Sequence, residues 1–105
     1  MRVLISCVGS AGDVHPFLAI GAALRALGHE VEVQASAHFR ARIEAAGLRC
    51  LPLGSEDDYR RVVADADLWH PRRSFALMWT HMRAHLLEAH EALRARVRPG
   101  RTVLV

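Results

Sequence analysis

Short apolar runs alternate with longer amphipathic stretches along this chain, and their order predicts the architecture. Val3-Leu4-Ile5-Ser6-Cys7-Val8 is a compact apolar run ended by Gly9, the pattern of a strand buried on both faces. Phe17, Ile20, Leu24 and Leu27 then recur at spacings of 3, 4 and 3, which predicts a helix from about Pro16 to Leu27. Pro16 suits the first helical position and Gly28 the stop. Val31-Glu32-Val33-Gln34-Ala35 alternates as a strand does. Ser36 is a candidate cap for a helix over Ala37 to Ala46, with Phe39 and Ile43 on its inner edge and Gly47 closing it. Leu48 to Leu53 reads as a third strand. Ser55 ahead of Glu56-Asp57-Asp58 predicts a capped short helix with an acidic first turn. Trp69-His70-Pro71-Arg72-Arg73 breaks the pattern, and Trp69 and Trp79 beside it are expected in the core or a lid. Ser74 then caps a long helix to about Val97. Its stripe of Phe75, Met78, Met82, Leu86, Ala89, Leu93 and Val97 is expected to face the core. Arg98-Pro99-Gly100 is a turn, and Thr102-Val103-Leu104-Val105 opens a fourth strand.

Connections of a few residues between strands and helices require parallel pairing with right-handed crossovers. The expected fold is an α/β, Rossmann-like open parallel sheet in the order 3-2-1-4, with Val3, Ile5, Val31, Val33, Leu51, Val103 and Leu104 buried. In that order the second strand separates Cys7 from Cys50. Two strand spacings amount to about 10 Å, beyond the ~7 Å that a disulfide spans between Cα atoms; both cysteines are expected as free thiols. A fourth strand this apolar is normally followed by a further helix and strand, so the chain is expected to be the N-terminal part of a longer protein.

With 105 residues and 51% apolar content, the chain has the size and composition of one small globular domain or a piece of one. The net charge of +3 rests on arginine alone, since the sequence contains no lysine. The arginines are scattered, with one mild cluster at Arg94, Arg96, Arg98 and Arg101, which suits a helix end better than a nucleic-acid surface. No apolar run approaches the ~18 residues of a membrane span, and no secretory leader is recognisable; a cytoplasmic location is expected. His81 and His85 are four apart, with Glu88 and His90 near, but no third ligand stands at a matching spacing, so no metal is expected.

The chemistry gathers at Gly9-Ser10-Ala11-Gly12-Asp13-Val14-His15-Pro16, between the first strand and the first helix. Ligands of open α/β sheets bind at the carboxyl ends of the strands. Asp13 is the candidate general base there, and Gly9, Ser10, Gly12, Val14 and His15 are candidate substrate contacts. The bland alternative for Asp13 is a helix cap. The dinucleotide fingerprint GxGxxG and the P-loop lysine are both missing. Gln34-Ala35-Ser36 stands where a ribose-binding acid would follow the second strand. A dinucleotide- or flavin-binding oxidoreductase domain and a non-catalytic α/β binding module remain as alternative readings.

The loop, continued by Phe17-Leu18-Ala19, Gly21 and Leu24 and ending in Leu27-Gly28-His29-Glu30-Val31, resembles the start of GT-B glycosyltransferases. It is most similar to the sterol glucosyltransferases and the glycosyltransferases of glycopeptide antibiotics, of the family 28 and family 1 type. They share a G-x-x-G-D-V-x-P loop and an L-x-x-x-G-H-x-V junction. The resemblance implies two Rossmann-like domains around a cleft, the first holding the acceptor and the second the nucleotide-sugar donor. It implies an inverting hexosyl transfer from a UDP- or TDP-sugar to a lipid, sterol or natural-product hydroxyl, without a cofactor. Only part of the acceptor domain is expected within residues 1–105. Where the wider superfamily often has a catalytic histidine, this chain has Asp13, and no role is carried over to His15.

Overall fold

The computed structural model describes residues 1–8 and 11–105. Strands β1 (Arg2–Ser6), β2 (Glu30–Ser36), β3 (Arg49–Leu53) and β4 (Thr102–Leu104) are interleaved with helices α1 (Ala11–Ala26), α2 (Arg40–Ala45), α3 (Glu56–Ala64) and α4 (Ser74–Arg96). Two 3₁₀ turns, Ala37–Phe39 and Ala66–Trp69, precede α2 and α4. The sheet is parallel throughout and runs β3-β2-β1-β4, as expected. Val3 pairs with Val31 and Ile5 with Val33, while Val33 pairs with Cys50. Cys7 lies just past β1 and Cys50 within β3, and both are free.

Side chains alternate across a strand, so each strand serves two layers. One layer is apolar: Val3, Ile5, Val31, Val33 and Ala35 pack with Val14 of α1, Phe39, Ile43 of α2 and Leu48. Gly21 lets α1 come down onto this face, because a Cβ there would stand 2.7 Å from Leu48 Cδ1. Gly28 and Gly47 end α1 and α2 at φ of 95° and 79°, a backbone that side chains disfavour, in agreement with the stop signals.

The other layer is mixed. Leu4 is fully buried, but beside it Gln34 is 1% exposed and Glu32 8%. Ser6 Oγ donates to Gln34 Oε1 at 2.9 Å, and Gln34 Nε2 donates to the Ala89 carbonyl at 3.1 Å. Arg96 Nε donates to Glu32 Oε2 at 2.7 Å, and Arg2 Nη1 donates to the Arg96 carbonyl. Helix α4 is therefore tied to the sheet largely by polar links. Truncating Gln34 to Ala would strand two of those partners, and we expect a loss of about 1–3 kcal/mol by denaturant titration.

Three expectations about burial are not met, the first because α4 docks through these polar links. No residue of α4 is buried. Phe75 is 78% exposed and Leu86 51%, because the face that α4 meets offers Glu32 and Gln34 instead of an aliphatic floor. Trp69 and Trp79 are exposed rather than in the core. Val103 and Leu104 are also exposed, since β4 is the edge strand and pairs with β1 alone.

Helix starts moved as well. Helix α1 begins at Ala11, not Pro16, and Pro16 lies inside it. A proline there removes only the hydrogen bond that the Gly12 carbonyl would accept, near the helix start where such bonds are few. The expected helix over 37–46 is split, and Ser36 caps the 3₁₀ turn by accepting from the His38 N–H. Arg73 stands at the cap of α4, so Ser74 is its first helical residue. Ser55 does cap α3: its hydroxyl accepts from the Asp58 N–H, and the Asp58 carboxylate accepts from the Ser55 N–H. These Ser55 hydrogen bonds, helped by Arg61, hold the Asp58 carboxyl below the ordinary carboxylate range. Losing the cap in Ser55→Ala should cost about 1 kcal/mol at neutral pH. Because the folded pKa of Asp58 is depressed, its contribution is present above the unfolded value of about 4. It is lost as pH falls through the folded value, so the melting-temperature gap to Ser55→Ala should narrow in acid.

Candidate functional site

The carboxyl ends of β1, β2 and β3 open on one crevice. Gly9 and Ser10 lie outside the described residues. Gly12 is helical and exposed, the second residue of α1 and not a left-handed turn. Asp13 follows it in the first turn, exposed, where the positive end of the helix favours a carboxylate. It is the third helical residue and so does not occupy the cap position. Val14 is 1% exposed and belongs to the core, so its side chain holds α1 on the sheet. His15 is exposed and turned toward α2: Arg42 Nη1 donates to its Nε2 at 2.7 Å. That nitrogen is an acceptor for arginine and ties α1 to α2.

Beside this turn, α3, the second 3₁₀ turn and α4 enclose a cavity of about 140 Å³. Cys7, Val8, Ser36 and Leu53 from the strand ends form its floor, and Tyr59, Val62, Met78 and Met82 are among its walls. Burial raises the Cys7 thiol pKa, and the Asp13 charge raises it further. Asp13 is thereby placed within electrostatic reach of the cavity floor. Tyr59 is fixed by aromatic packing, stacked on His38 at 3.9 Å and edge-on to Phe39 at 5.5 Å. His38 is itself held by Glu56, its Nδ1 lying 2.8 Å from Oε1.

His81 and His85 also line the cavity, with ring centroids 5.1 Å apart. His85 Nδ1 is 3.4 Å from Glu88 Oε2, and its Nε2 is 4.0 Å from Asp58 Oδ2. Burial and the neighbouring His85 hold His81 below the ordinary histidine pKa, against the opposing pull of Asp58. Among the described residues no three His, Cys, Asp or Glu side chains are arranged to hold a metal ion. The sequence reading missed this cavity because it forms between α3, α4 and the ends of three strands, and no local signal fixes how the two consecutive helices dock on those ends. A signal was present: Met78, His81, Met82 and His85 share one helical face.

A parallel sheet in this order, with a crevice at the carboxyl ends of its strands, defines a Rossmann-like open α/β domain. The chain belongs to glycosyltransferase family 28, whose N-terminal domain matches residues 3–96. It is 41% identical over 56 residues to a sterol 3-beta-glucosyltransferase of Arabidopsis thaliana, covering 53% of this chain and 9% of that protein. It is 42% identical over 67 residues to O-mycaminosyltylonolide 6-deoxyallosyltransferase of Streptomyces fradiae, covering 64% of this chain and 14% of that protein. Among solved structures, the calicheamicin glycosyltransferase CalG4 superposes on 88% of this chain and 23% of its own, with a TM-score of 0.64 and 25% identity. A Streptomyces glycosyltransferase complexed with thymidine diphosphate covers 90% of this chain and 30% of its own, with a TM-score of 0.58 and 30% identity. The chain thus spans less than a third of each relative's length. Family membership sets aside the oxidoreductase reading. No helix among the described residues is long and apolar enough to cross a membrane.

Proposed function

We propose that this chain is part of the acceptor-holding N-terminal domain of an inverting glycosyltransferase. The enzyme moves a hexosyl group from a UDP- or TDP-sugar to a hydroxyl of a lipid, sterol or natural-product acceptor. The donor is held mainly by a second, C-terminal domain. The observation that carries this reading is the apolar cavity at the carboxyl edge of the sheet, with the Asp13 charge acting on the Cys7 thiol of its floor. An apolar acceptor gains about 25 cal/mol for each Å² it buries there. The relatives support the substrate classes, since one acts on a sterol and another glycosylates a tylonolide. A neighbour bound to thymidine diphosphate supports the donor class.

In the proposed step the acceptor oxygen attacks the anomeric carbon from the face opposite the diphosphate. The carbon–phosphate-oxygen bond breaks, its electron pair leaves with the nucleotide, and the hydroxyl proton passes to Asp13. The N-terminal end of α1 favours the negative charge that builds on the leaving phosphates. The complete enzyme, given a TDP- or UDP-hexose and a sterol or macrolide, should form one glycoside with inverted anomeric configuration, read by proton NMR coupling. Retained configuration would overturn the mechanism, and no transfer to any apolar alcohol would overturn the acceptor class.

A further inference from the structure

The cavity wall is interrupted by polar side chains, and their engagements differ. Ser36 Oγ already accepts from the His38 N–H at 3.3 Å. His85 is engaged by Glu88 and faces Asp58. The Cys7 thiol is buried, its pKa is raised, and a protonated thiol is only a weak donor. The Tyr59 ring is clamped by His38 and Phe39, which fixes where its hydroxyl stands but does not hydrogen-bond it, so Tyr59 is the residue against which His81 has to be tested. His81 touches the edge of His85 and has no hydrogen-bond partner among the described residues. Asp58 and Arg61 of α3 and His85 of α4 are the charged and titratable groups acting on it, and burial with His85 holds its pKa below the ordinary histidine value, which favours the uncharged ring. An uncharged imidazole carries one N–H donor and one bare nitrogen. It lines the cavity together with Met78, Met82, Val62 and Leu68, half-buried, so that its ring is open to a ligand there.

We propose that His81 is the specificity-determining residue of this cavity: it selects apolar ligands that carry a hydroxyl or carbonyl oxygen over the same hydrocarbon without one. This rests on reading the cavity as the acceptor pocket. It narrows the acceptor to an oxygenated apolar skeleton, with an oxygen for His81 besides the hydroxyl that receives the sugar. Hydrogen bonding of this kind discriminates by about five- to tenfold in affinity.

The test uses toluene and p-cresol as probes, followed by NMR shifts of the Met78 and Met82 methyl groups. Both probes should move those methyls. Comparing the ratio of the two dissociation constants between variants cancels the cost of removing the cresol oxygen from water. His81→Phe should shrink the preference for p-cresol about five- to tenfold while toluene binds as before. His81→Gln, which keeps a donor and an acceptor, should retain much of the preference, and Tyr59→Phe should leave it intact. The His81 ring nitrogens should shift with p-cresol and not with toluene. An unchanged preference in His81→Phe, or its loss in Tyr59→Phe, overturns the assignment to His81. If neither probe moves the methionine methyls, the acceptor-pocket reading itself fails.

Discussion

Asp13→Asn in the complete enzyme should lower kcat by about 10²–10⁴-fold, the span of a lost general base. Asparagine is close in size and still accepts hydrogen bonds, but it does not take up the acceptor's proton. The stability cost should stay within about 1 kcal/mol, the worth of an acidic residue in the first turn of a helix. A second readout is independent of turnover. Burial and then the Asp13 charge raise the pKa of the Cys7 thiol, so removing that charge should bring the thiol pKa down part of the way. Thiol alkylation against pH measures it. A near-normal kcat with a lowered thiol pKa would leave Asp13 as a first-turn acid beside the cavity and move the base elsewhere. An unchanged thiol pKa would put Asp13 out of electrostatic reach of Cys7.

Phe39→Ala should cost about 3–5 kcal/mol, the largest single stability loss we expect. Phe39 is 1% exposed and sits where the sheet, α2 and α3 converge. Its ring meets His38 edge-on at 5.0 Å and Tyr59 at 5.5 Å, and Tyr59 lines the cavity. Small domains are stable by only 5–15 kcal/mol in general, so this variant should lose a large share of its margin and loosen the cavity wall together. Urea unfolding followed by tryptophan fluorescence reports the first effect, and p-cresol affinity the second. A loss below about 1 kcal/mol would contradict the packing described for Phe39.

The elements that the sequence made legible are those whose signal is local. Ser55 and Asp58 are three residues apart and close a capping box wherever the chain goes next. Gly28 and Gly47 mark helix ends because their backbone angles are ones that a side chain resists. Val3, Ile5, Val31 and Val33 read as core since β-branched alternation suits a covered parallel sheet. The short connections required parallel pairing, and the expected order 3-2-1-4 is the order found. Pro16 misled at the same level: the rule places proline at the first turn, whereas residues from Ala11 onward are already helical.

The apolar stripe of α4 is the case where periodicity was right and burial was not. Periodicity says that one face is apolar; it does not say what that face meets. Here the opposing sheet layer carries Glu32 and Gln34, whose hydrogen bonds to Arg96 and Ala89 set how the helix docks. Phe75 is left outside by that docking, while Met78, His81, Met82, His85 and Leu86 are turned over a cavity. The same limit applies to His15, which stands in the motif yet is spent on Arg42, 27 positions on. Strand order, caps, the GT-B resemblance and the place of Asp13 beside the first strand follow from residues near each other in the chain. The cavity, the partner of each histidine and the exposure of β4 follow from contacts between α3, α4 and the sheet, which only the folded chain brings within reach of one another.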